Sequence, residues 1–249
     1  MKVTAVKTHK IIPNIDKNLF AILDKYLPKL EEGSVVVITS KIVSICEGRV
    51  VKIEDADKDK LIYQEAQLII PPEKNSYNVS LTVNNNMLVA GAGIDESNGN
   101  GYYILWPKNP QQSVDQVREY LTNKYKLKKL GVVITDSKTT PLRWGVTGLA
   151  LVHSGFRALN DYVDTPDLFG RKFKFEKSNI ADALAAAAVL VMGEGAEQTP
   201  ICVVEDMPFV RFQDKNPTHE ELEELKISLE DDLYAELLKN APWEKGENV

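Results

Sequence analysis

The chain is short of the residue types on which many metalloproteins and secreted proteins depend. Its 249 residues include two cysteines, Cys46 and Cys202, and three histidines, His9, His153 and His219. The cysteines lack CxxC spacing and the histidines are scattered, so the sequence excludes a zinc site built from these residue types. We expect both cysteines to be buried thiols in a reducing compartment rather than partners in a disulfide.

Long apolar runs and an excess of positive charge are missing as well. No stretch approaches the roughly 18 consecutive apolar residues of a membrane span, and residues 1–14 lack the apolar segment of a secretory signal. We therefore expect a cytoplasmic protein without membrane contact. The formal net charge of −6 argues against a general nucleic-acid binder. An anionic substrate would need local cations, for which the candidates are Lys41, Lys138, Arg143, Arg157 and Arg171.

The hydrophobic content of 43% is enough for one large or two small cores. Apolar patterns predict a hairpin at 79–89 and strands at 2–7, 35–38, 102–105, 132–134, 149–152 and 201–204. Helices are predicted at 17–30, 54–69, 113–127, 180–192 and 217–239. Short strands and helices without regular βαβ alternation are compatible with an α+β fold, which we treat as a single catalytic unit over residues 1–249.

Two of the predicted helices have a distinctive composition. The alanine-rich segment 180–192 begins beside Asn179 and Asp182, ends at Gly193, and is apolar almost all round. We therefore expect it to be a central buried helix. The charged C-terminal segment 217–239 carries a stripe of leucines, which predicts a packing or dimer surface rather than a catalytic feature.

The stretch 131–148, GVVITDSKTTPLRWGVTG, is the centre of the functional argument. A buried strand is predicted to stop at Thr135-Asp136-Ser137 and to be followed by a loop that contains Arg143. An aspartate beside hydroxyls at a strand end is a common way to hold Mg²⁺, which prefers oxygen ligands. The alternative is a turn in which Asp136 only accepts hydrogen bonds from backbone N–H groups.

Three other segments place polar groups next to predicted strands or helices. Loop 91–101, GAGIDESNGNG, holds Asp95 among glycines that allow close backbone approach, without Walker A spacing; the alternative is a polar connection. Ser40-Lys41 follows a strand and can hold a phosphate or an acidic side chain, although spacing alone favours a helix cap and a solvated lysine. Glu194 follows a helix C-terminus, where a carboxylate costs ~0.3–1 kcal/mol and a cation reverses that sign. Its alternative is a solvent-facing loop residue.

Three glycine-flanked carboxylate loops in this order form a more specific signal than any one of them. Together they resemble the coenzyme F420-0:L-glutamate ligase (γ-glutamyl ligase) family. The segments that carry the resemblance are TSKIVSICEGRVV at 39–51, AGIDESN at 92–98, GVVITDS at 131–137, LFGRKF at 168–173 and DALAAAAVLVMGEG at 182–195. The resemblance extends from about residue 10 to about residue 212.

The resemblance implies a GTP-dependent (or ATP-dependent) ligase that joins the α-amino group of L-glutamate to an acceptor carboxylate through an acyl phosphate. The acceptor would be an anionic small molecule, either coenzyme F420-0 or a folate-like or other γ-glutamyl compound. Mg²⁺ or Mn²⁺ at two sites is implied, with K⁺ as a further candidate ion. The implied fold is α+β, with two intertwined lobes in a homodimer.

The resemblance also assigns residues to roles. The metal positions are Asp95, Asp136, Ser137 and Glu194. Lys41, Asp136 and Arg143 are the candidate catalytic residues. The residues at nucleotide-contacting positions are Ile12, Pro13, Asn14, Ile15, Ser40, Lys41, Asn98, Met192, Gly193, Glu194, Gly195, Ala196, Glu197, Gln198 and Thr199.

The chain departs from the family pattern at two places. Ile45 stands where many members carry a second lysine, which removes one expected phosphate contact. The loop from Lys138 to Arg143 differs from the TFGRPWR-like segment of many members, so the acceptor can differ from a deazaflavin. Two alternative functions follow: a nucleotide- and metal-binding protein that has lost catalysis, and a metal-dependent phosphohydrolase.

Overall fold

The computed structural model describes residues 1–248. Its strands, in chain order, are β1 (Lys2–Val6), β2 (Ser34–Thr39), β3 (Val50–Lys52), β4 (Leu68–Ile70), β5 (Leu81–Asn84), β6 (Met87–Ala90), β7 (Tyr102–Ile104), β8 (Leu130–Thr139), β9 (Val146–Ser154), β10 (Leu159–Asp161), β11 (Lys177–Asn179), β12 (Ile201–Glu205) and β13 (Glu244–Lys245). Its α-helices are α1 (Leu19–Tyr26), α2 (Ser40–Glu47), α3 (Lys58–Glu65), α4 (Pro110–Tyr125), α5 (Ile180–Met192), α6 (His219–Glu223) and α7 (Ala235–Leu238).

The main sheet has five strands in the order β1-β12-β2-β8-β9. Strands β2 and β8 run parallel, whereas the other neighbouring pairs of this sheet are antiparallel. The three central strands contain the continuous apolar runs 35–38, 132–134 and 201–204, all buried. Such runs are typical of strands that are covered on both faces, so the sequence pattern already places these strands at the centre of the protein.

Helices cover both faces of this sheet. On one face, Ile38, Val132 and Ile201 pack with apolar side chains of α1, α2 and α4. On the other face, Val37 and Val133 pack against α5. The mixture of one central sheet, smaller antiparallel sheets and unevenly distributed helices confirms the predicted α+β class. Among residues 1–248, no helix is long and apolar enough to cross a membrane.

Helix α5 begins and ends where the sequence predicts, but it is not buried on all sides. Asn179 accepts a hydrogen bond from the N–H of Asp182 at the start of the helix. Leu190 is 84% exposed, so the expectation of a central buried helix is wrong. Its small alanines instead allow one face to lie close to β9, because a Cβ at Gly148 would approach the carbonyl oxygen of Ala185 to 2.4 Å.

Three smaller antiparallel sheets complete the fold. Strands β13, β4, β5 and β6 make a four-stranded sheet, β3 pairs with β7, and β10 pairs with β11. The hairpin predicted at 79–89 is confirmed as β5–β6. Its two turn residues, Asn85 and Asn86, have φ of 48° and 60°, which suits the tight turn of a two-residue hairpin loop.

Three predicted helices are shorter than expected. Within 17–30, α1 ends at Tyr26 because Leu27 is extended. Within 54–69, α3 ends at Glu65 because Ala66 is extended and the chain continues into β4. Within 217–239, the single predicted helix is wrong: α6 and α7 are separated by a turn. The Ser228 hydroxyl accepts the N–H of Asp231, and such side-chain bonds to the backbone compete with helical pairing.

The two cysteines are free thiols, as expected. Cys202 is buried in the sheet and Cys46 is half-buried. Burial raises the pKa of the Cys46 thiol to about 12 and that of Cys202 to about 11, so both remain protonated near neutral pH.

Candidate functional site

The parallel pair β2–β8 brings two distant polar segments to one edge of the main sheet. Thr39 ends β2 and pairs with Thr135 of β8, and this is the last pair between the two strands. Helix α2 starts directly after Thr39, whose hydroxyl accepts the N–H of Lys41 at 3.4 Å. Lys41 and Asp136 therefore both lie just beyond this last pair, although 95 positions separate them in the sequence.

Strand β8 does not end where the sequence predicts. It continues through Asp136 and Ser137 to Thr139 and pairs with β9, so the expected strand end at 135–137 is wrong. Residues 136–139 are polar, so the apolar pattern of the sequence does not extend to them. They remain in the strand because their backbone pairs with β9. The register shifts between Ile134 and Thr135, and such an irregularity re-aims side chains beside a site.

A cleft of about 560 Å³ opens at this edge of the sheet. It is formed by five separate segments of the chain: the loop after β1, the start of α2, loop 91–101, the middle of β8, and the end of α5 with the loop that follows. The predicted site residues that line it are Ile12, Lys41, Asp95, Asn98, Asp136, Ser137, Met192, Gly193, Glu194, Gly195, Ala196, Glu197, Gln198 and Thr199.

Carboxylates crowd one side of the cleft. Asp136 accepts hydrogen bonds from the indole N–H of Trp106 and, at 2.8 Å, from the N–H of Ser137. Burial, followed by the charge of Asp95, raises the pKa of Asp136 to about 7. Burial and Asp95 also raise the pKa of Glu194, which accepts a hydrogen bond from the Ser137 hydroxyl at 3.4 Å. A cation at this place would relieve the repulsion among the carboxylates.

Lys41 is the cation that faces these carboxylates. Its Nζ lies 3.3 Å from Asp95 Oδ2 and donates to the backbone oxygen of Ser97 at 3.0 Å. Its side chain is 20% exposed, so the structure does not support the alternative of a solvated lysine. Ile45, one turn further along α2, lines the same cleft and makes that part of its wall apolar.

The loop after α5 is tied to loop 91–101. Asn98 donates from its side-chain amide to the backbone oxygen of Gly195 at 2.9 Å. Within the loop, the N–H of Gly195 donates to the Glu197 carboxylate at 2.8 Å. Residues 192–199 thus border the cleft as a loop that is linked to loop 91–101.

The loop after β1 differs in detail from the prediction. Of the expected nucleotide positions 12–15, Ile12 lines the cleft, whereas Pro13, Asn14 and Ile15 do not. Ser40 is buried and also lies outside the lining. The sequence reasoning missed the preceding residues Thr8, His9, Lys10 and Ile11, which do line it.

Asp16 fixes this loop. Its carboxylate accepts the N–H of Ile12 at 2.7 Å and lies 2.9 Å from His9 Nε2. The His9 ring also contacts the hydroxyl of Tyr26 at 2.8 Å. An aspartate four residues after Ile12 can close a turn by accepting its N–H, and this spacing is the feature of the sequence that could have indicated the loop.

The remaining predicted cations lie elsewhere. Arg143 belongs to the exposed turn between β8 and β9 and does not line the cleft. Lys138 Nζ lies 3.6 Å from Asp182, and Arg157 is paired with Glu221 at 2.8 Å. Arg171 is exposed in the turns between β10 and β11. Within this chain, Lys41 is the predicted cation that the fold brings to the carboxylates.

The predicted metal positions share one cleft and one kind of donor. Asp95, Asp136, Ser137 and Glu194 offer oxygen atoms, which suit Mg²⁺ and Mn²⁺. In the described part of the chain, no three His, Cys, Asp or Glu side chains are drawn together closely enough to form a metal cluster. The negative charge around Asp136 fits a divalent cation, while Lys41 occupies the position beside Asp95.

Comparison with known proteins agrees with these features. The family model described as F420-0:Gamma-glutamyl ligase matches residues 6–206. Three proteins named coenzyme F420:L-glutamate ligase are similar over most of their length. The one from Methanocaldococcus jannaschii is 33% identical over 211 residues, which cover 77% of this chain and 83% of that protein. The one from Methanopyrus kandleri is 34% identical, with 70% and 75% covered. The one from Archaeoglobus fulgidus is 31% identical, with 85% and 88% covered.

The family match spans every segment that forms the cleft, from the loop after β1 to β12. The shared region therefore includes the carboxylates, Lys41 and the loop after α5, and the chain belongs to the F420-0:gamma-glutamyl ligase family of enzymes.

Proposed function

We propose that this chain is a nucleotide-dependent ligase that joins the α-amino group of L-glutamate to the carboxylate of an anionic acceptor. The single observation that carries the proposal is the cleft, which gathers four carboxylates, two lysines and a glycine-containing loop from distant parts of the sequence. The names of the relatives make an acceptor of the coenzyme F420 type the first candidate. GTP or ATP is the proposed energy source.

The proposed reaction has two steps. An oxygen of the acceptor carboxylate forms a bond to the γ-phosphorus of the nucleotide, and the bond to the bridging oxygen breaks to release the nucleoside diphosphate. The amine nitrogen of glutamate then forms a bond to the acyl carbon and gives up a proton to solvent, while the bond from that carbon to the phosphate oxygen breaks and inorganic phosphate leaves. The protein's task in both steps is to hold anionic groups in line and to offset their charge.

The residues divide this task between them. Asp95, Asp136, Ser137 and Glu194 are proposed to hold divalent cations, which when bound neutralise charge on the phosphates. Lys41 is proposed to leave Asp95 and meet the phosphate oxygens. The backbone of 192–199 and the amide of Asn98 are proposed to fix the nucleotide along the cleft, because they border it and are linked to each other.

Phosphate release separates this function from the two alternatives. Purified protein is incubated with GTP or ATP, Mg²⁺ or Mn²⁺, and L-glutamate, with or without a candidate acceptor. A ligase releases phosphate only when the acceptor is present, and mass spectrometry then detects the acceptor with an added glutamyl unit. A phosphohydrolase releases phosphate without acceptor, and a binding protein releases none; either result would refute the proposal.

The acceptor and the accompanying ions are tested in the same assay. Coenzyme F420-0 and a folate-type γ-glutamyl compound are supplied separately, because the 138–143 loop differs from many relatives in sequence. We propose that K⁺ contributes as a further ion, which its replacement by Na⁺ would test. The proposed acceptor class is rejected if a glutamyl unit is gained only by the folate-type compound.

We also propose the intertwined, two-lobed homodimer that the family resemblance implies. Exposed apolar side chains support an interface between copies, notably Leu142 and Trp144 at the β8–β9 turn and Leu190 on α5. Light scattering coupled to gel filtration would give twice the mass of the chain, and a monomer at micromolar concentration would refute the dimer.

A further inference from the structure

Trp106 is a buried residue that contacts the candidate site without lining the cleft. It follows β7 and is 4% exposed, and its indole N–H donates to Asp136 Oδ2. The other carboxylate oxygen of Asp136, Oδ1, accepts the N–H of Ser137 at 2.8 Å. Each oxygen of this carboxylate therefore has its own donor, and a rotation of the carboxylate would break both hydrogen bonds.

The ring of Trp106 also rests on the segment that carries the second acidic residue. Gly93 has φ of +75°, and a Cβ added there would lie 2.1 Å from the ring. The indole therefore packs directly on the Gly93 backbone, two residues before Asp95. A side chain at position 93 would push the ring away from this place.

The backbone next to Trp106 holds Asp95 itself. The N–H of Asp95 donates to the oxygen of Ile104 at 2.9 Å, and the N–H of Ile104 donates to the oxygen of Asp95 at 2.8 Å. Arg49 donates from Nε to the Trp106 oxygen at 3.0 Å and is paired with Glu65 at 2.6 Å. The short segment 104–106 is thus fixed on both sides and touches both carboxylate-bearing segments.

We propose that Trp106 is a positioning residue, whose indole N–H orients the Asp136 carboxylate and whose ring sets the separation of the Asp95 and Asp136 segments. The inference rests on the metal site of the proposed function. An indole suits this role because it is a neutral donor: it orients a carboxylate without cancelling the charge that a cation needs. Loss of a hydrogen-bond donor behind a ligating carboxylate typically weakens metal binding by roughly 10–100-fold.

Calorimetric titration of the whole protein with Mn²⁺ tests the inference. Trp106→Phe keeps an aromatic ring in the core and deletes the N–H, so Mn²⁺ binding should weaken by roughly 10–100-fold. Trp243→Phe is the matched control, because Trp243 lies outside the cleft and donates its indole N–H to the oxygen of Leu238, and the Mn²⁺ affinity of this variant should equal that of the unaltered protein. Equal affinity in Trp106→Phe and the unaltered protein would overturn the inference.

A second measurement uses the unaltered protein in case Trp106→Phe does not fold. The chain has three tryptophans, so its indole N–H groups give three NMR resonances, and Trp144→Phe and Trp243→Phe assign two of them. Addition of Mg²⁺ should shift the Trp106 resonance and leave that of Trp243 in place. A Trp106 resonance unmoved at saturating Mg²⁺ would contradict the positioning role alone. Failure of the unaltered protein to bind either ion would overturn the metal site and this inference together.

Discussion

The base and the tip of the β8–β9 hairpin come from one continuous stretch of sequence but have opposite surroundings. At the base, Val133 and Ile134 are fully buried and Asp136 faces the cleft. At the tip, Leu142 and Trp144 are almost completely exposed. Because a strand rises about 3.3 Å per residue, the tip lies roughly 15–20 Å from Asp136. Residues that look like one motif in the sequence therefore belong to two regions with different tasks.

This comparison shows that the contribution expected of a charged side chain depends on its burial and on the charges beside it. Lys41 and Arg143 are both cations in candidate site segments, but Lys41 is held among carboxylates and Arg143 is in solvent. The base should accordingly control chemistry and stability, while the tip should affect neither nucleotide binding nor folding. Four substitutions test this division, in order of decreasing expected effect.

Asp136→Asn should abolish turnover and weaken Mn²⁺ binding, while the protein remains folded. An amide is a poor substitute for a bridging carboxylate, although it has nearly the same shape. Turnover is measured by phosphate release and folding by circular dichroism. Asp164→Asn, at an exposed turn, is the control and should retain full activity. Near-native turnover in Asp136→Asn would show that the base of the hairpin does not hold the catalytic metal.

Lys41→Met should lower kcat/KM for the nucleotide. The loss should correspond to ~2–4 kcal/mol of transition-state stabilisation, as when one preorganised electrostatic donor is removed. Methionine keeps the aliphatic stem and removes the charge. Ile45 makes the neighbouring wall apolar, so under the proposed function Lys41 would meet the phosphates without a second lysine from α2. The melting temperature should change little. Unchanged nucleotide affinity and turnover would refute this role of Lys41.

His153→Leu should flatten the dependence of stability on pH below neutrality. His153, on β9, is 2% exposed, and burial lowers its pKa to about 4 from 6.5. The folded state therefore binds fewer protons than the unfolded state between these values. His153 therefore lowers the free energy of unfolding as pH falls from 6.5 to 4, by about 3 kcal/mol in total, and its contribution does not change further below pH 4. Urea unfolding at several pH values measures the difference, and identical pH profiles for both proteins would contradict it.

Arg143→Met should have the smallest effect. The tip lies outside the cleft, so nucleotide affinity should stay within about two-fold of the unaltered protein, a difference below about 0.5 kcal/mol. The same assay as for Lys41→Met provides the comparison. A loss as large as that of Lys41→Met would show that the tip reaches a nucleotide site in the assembled enzyme, and a change confined to the KM of the acceptor would assign the tip to acceptor binding.

The parts of the structure that could be predicted from the sequence are those that local patterns determine. Apolar β-branched runs identified the central strands, and Asn179 and Gly193 marked the ends of α5. The family resemblance predicted that Lys41, Asp95 and Asp136 belong to one site, and the fold confirms that they share a cleft. Their roles in metal and nucleotide binding remain predictions.

The parts that could not be predicted depend on contacts between distant residues. The hydrogen bond from Trp106 to Asp136 joins positions 30 residues apart, and no local pattern announces it. Strand β8 continues through polar residues because β9 pairs with it. The C-terminal segment 217–239 has helical periodicity, but it lacks a surface that would cover its whole stripe, since Leu233 and Leu237 are exposed.

The position of β12 in the main sheet has a consequence for the order in which the molecule is built. This strand, made late in synthesis, lies between β1 and β2, which are made first. Until Glu205 has left the ribosome, the two N-terminal strands have no partner between them, and their apolar edges need protection from other chains. The main sheet and the cleft at its edge can therefore form only after β12 has been made, and folding should be slow because the β1–β12 and β12–β2 pairings join residues that are far apart in the sequence.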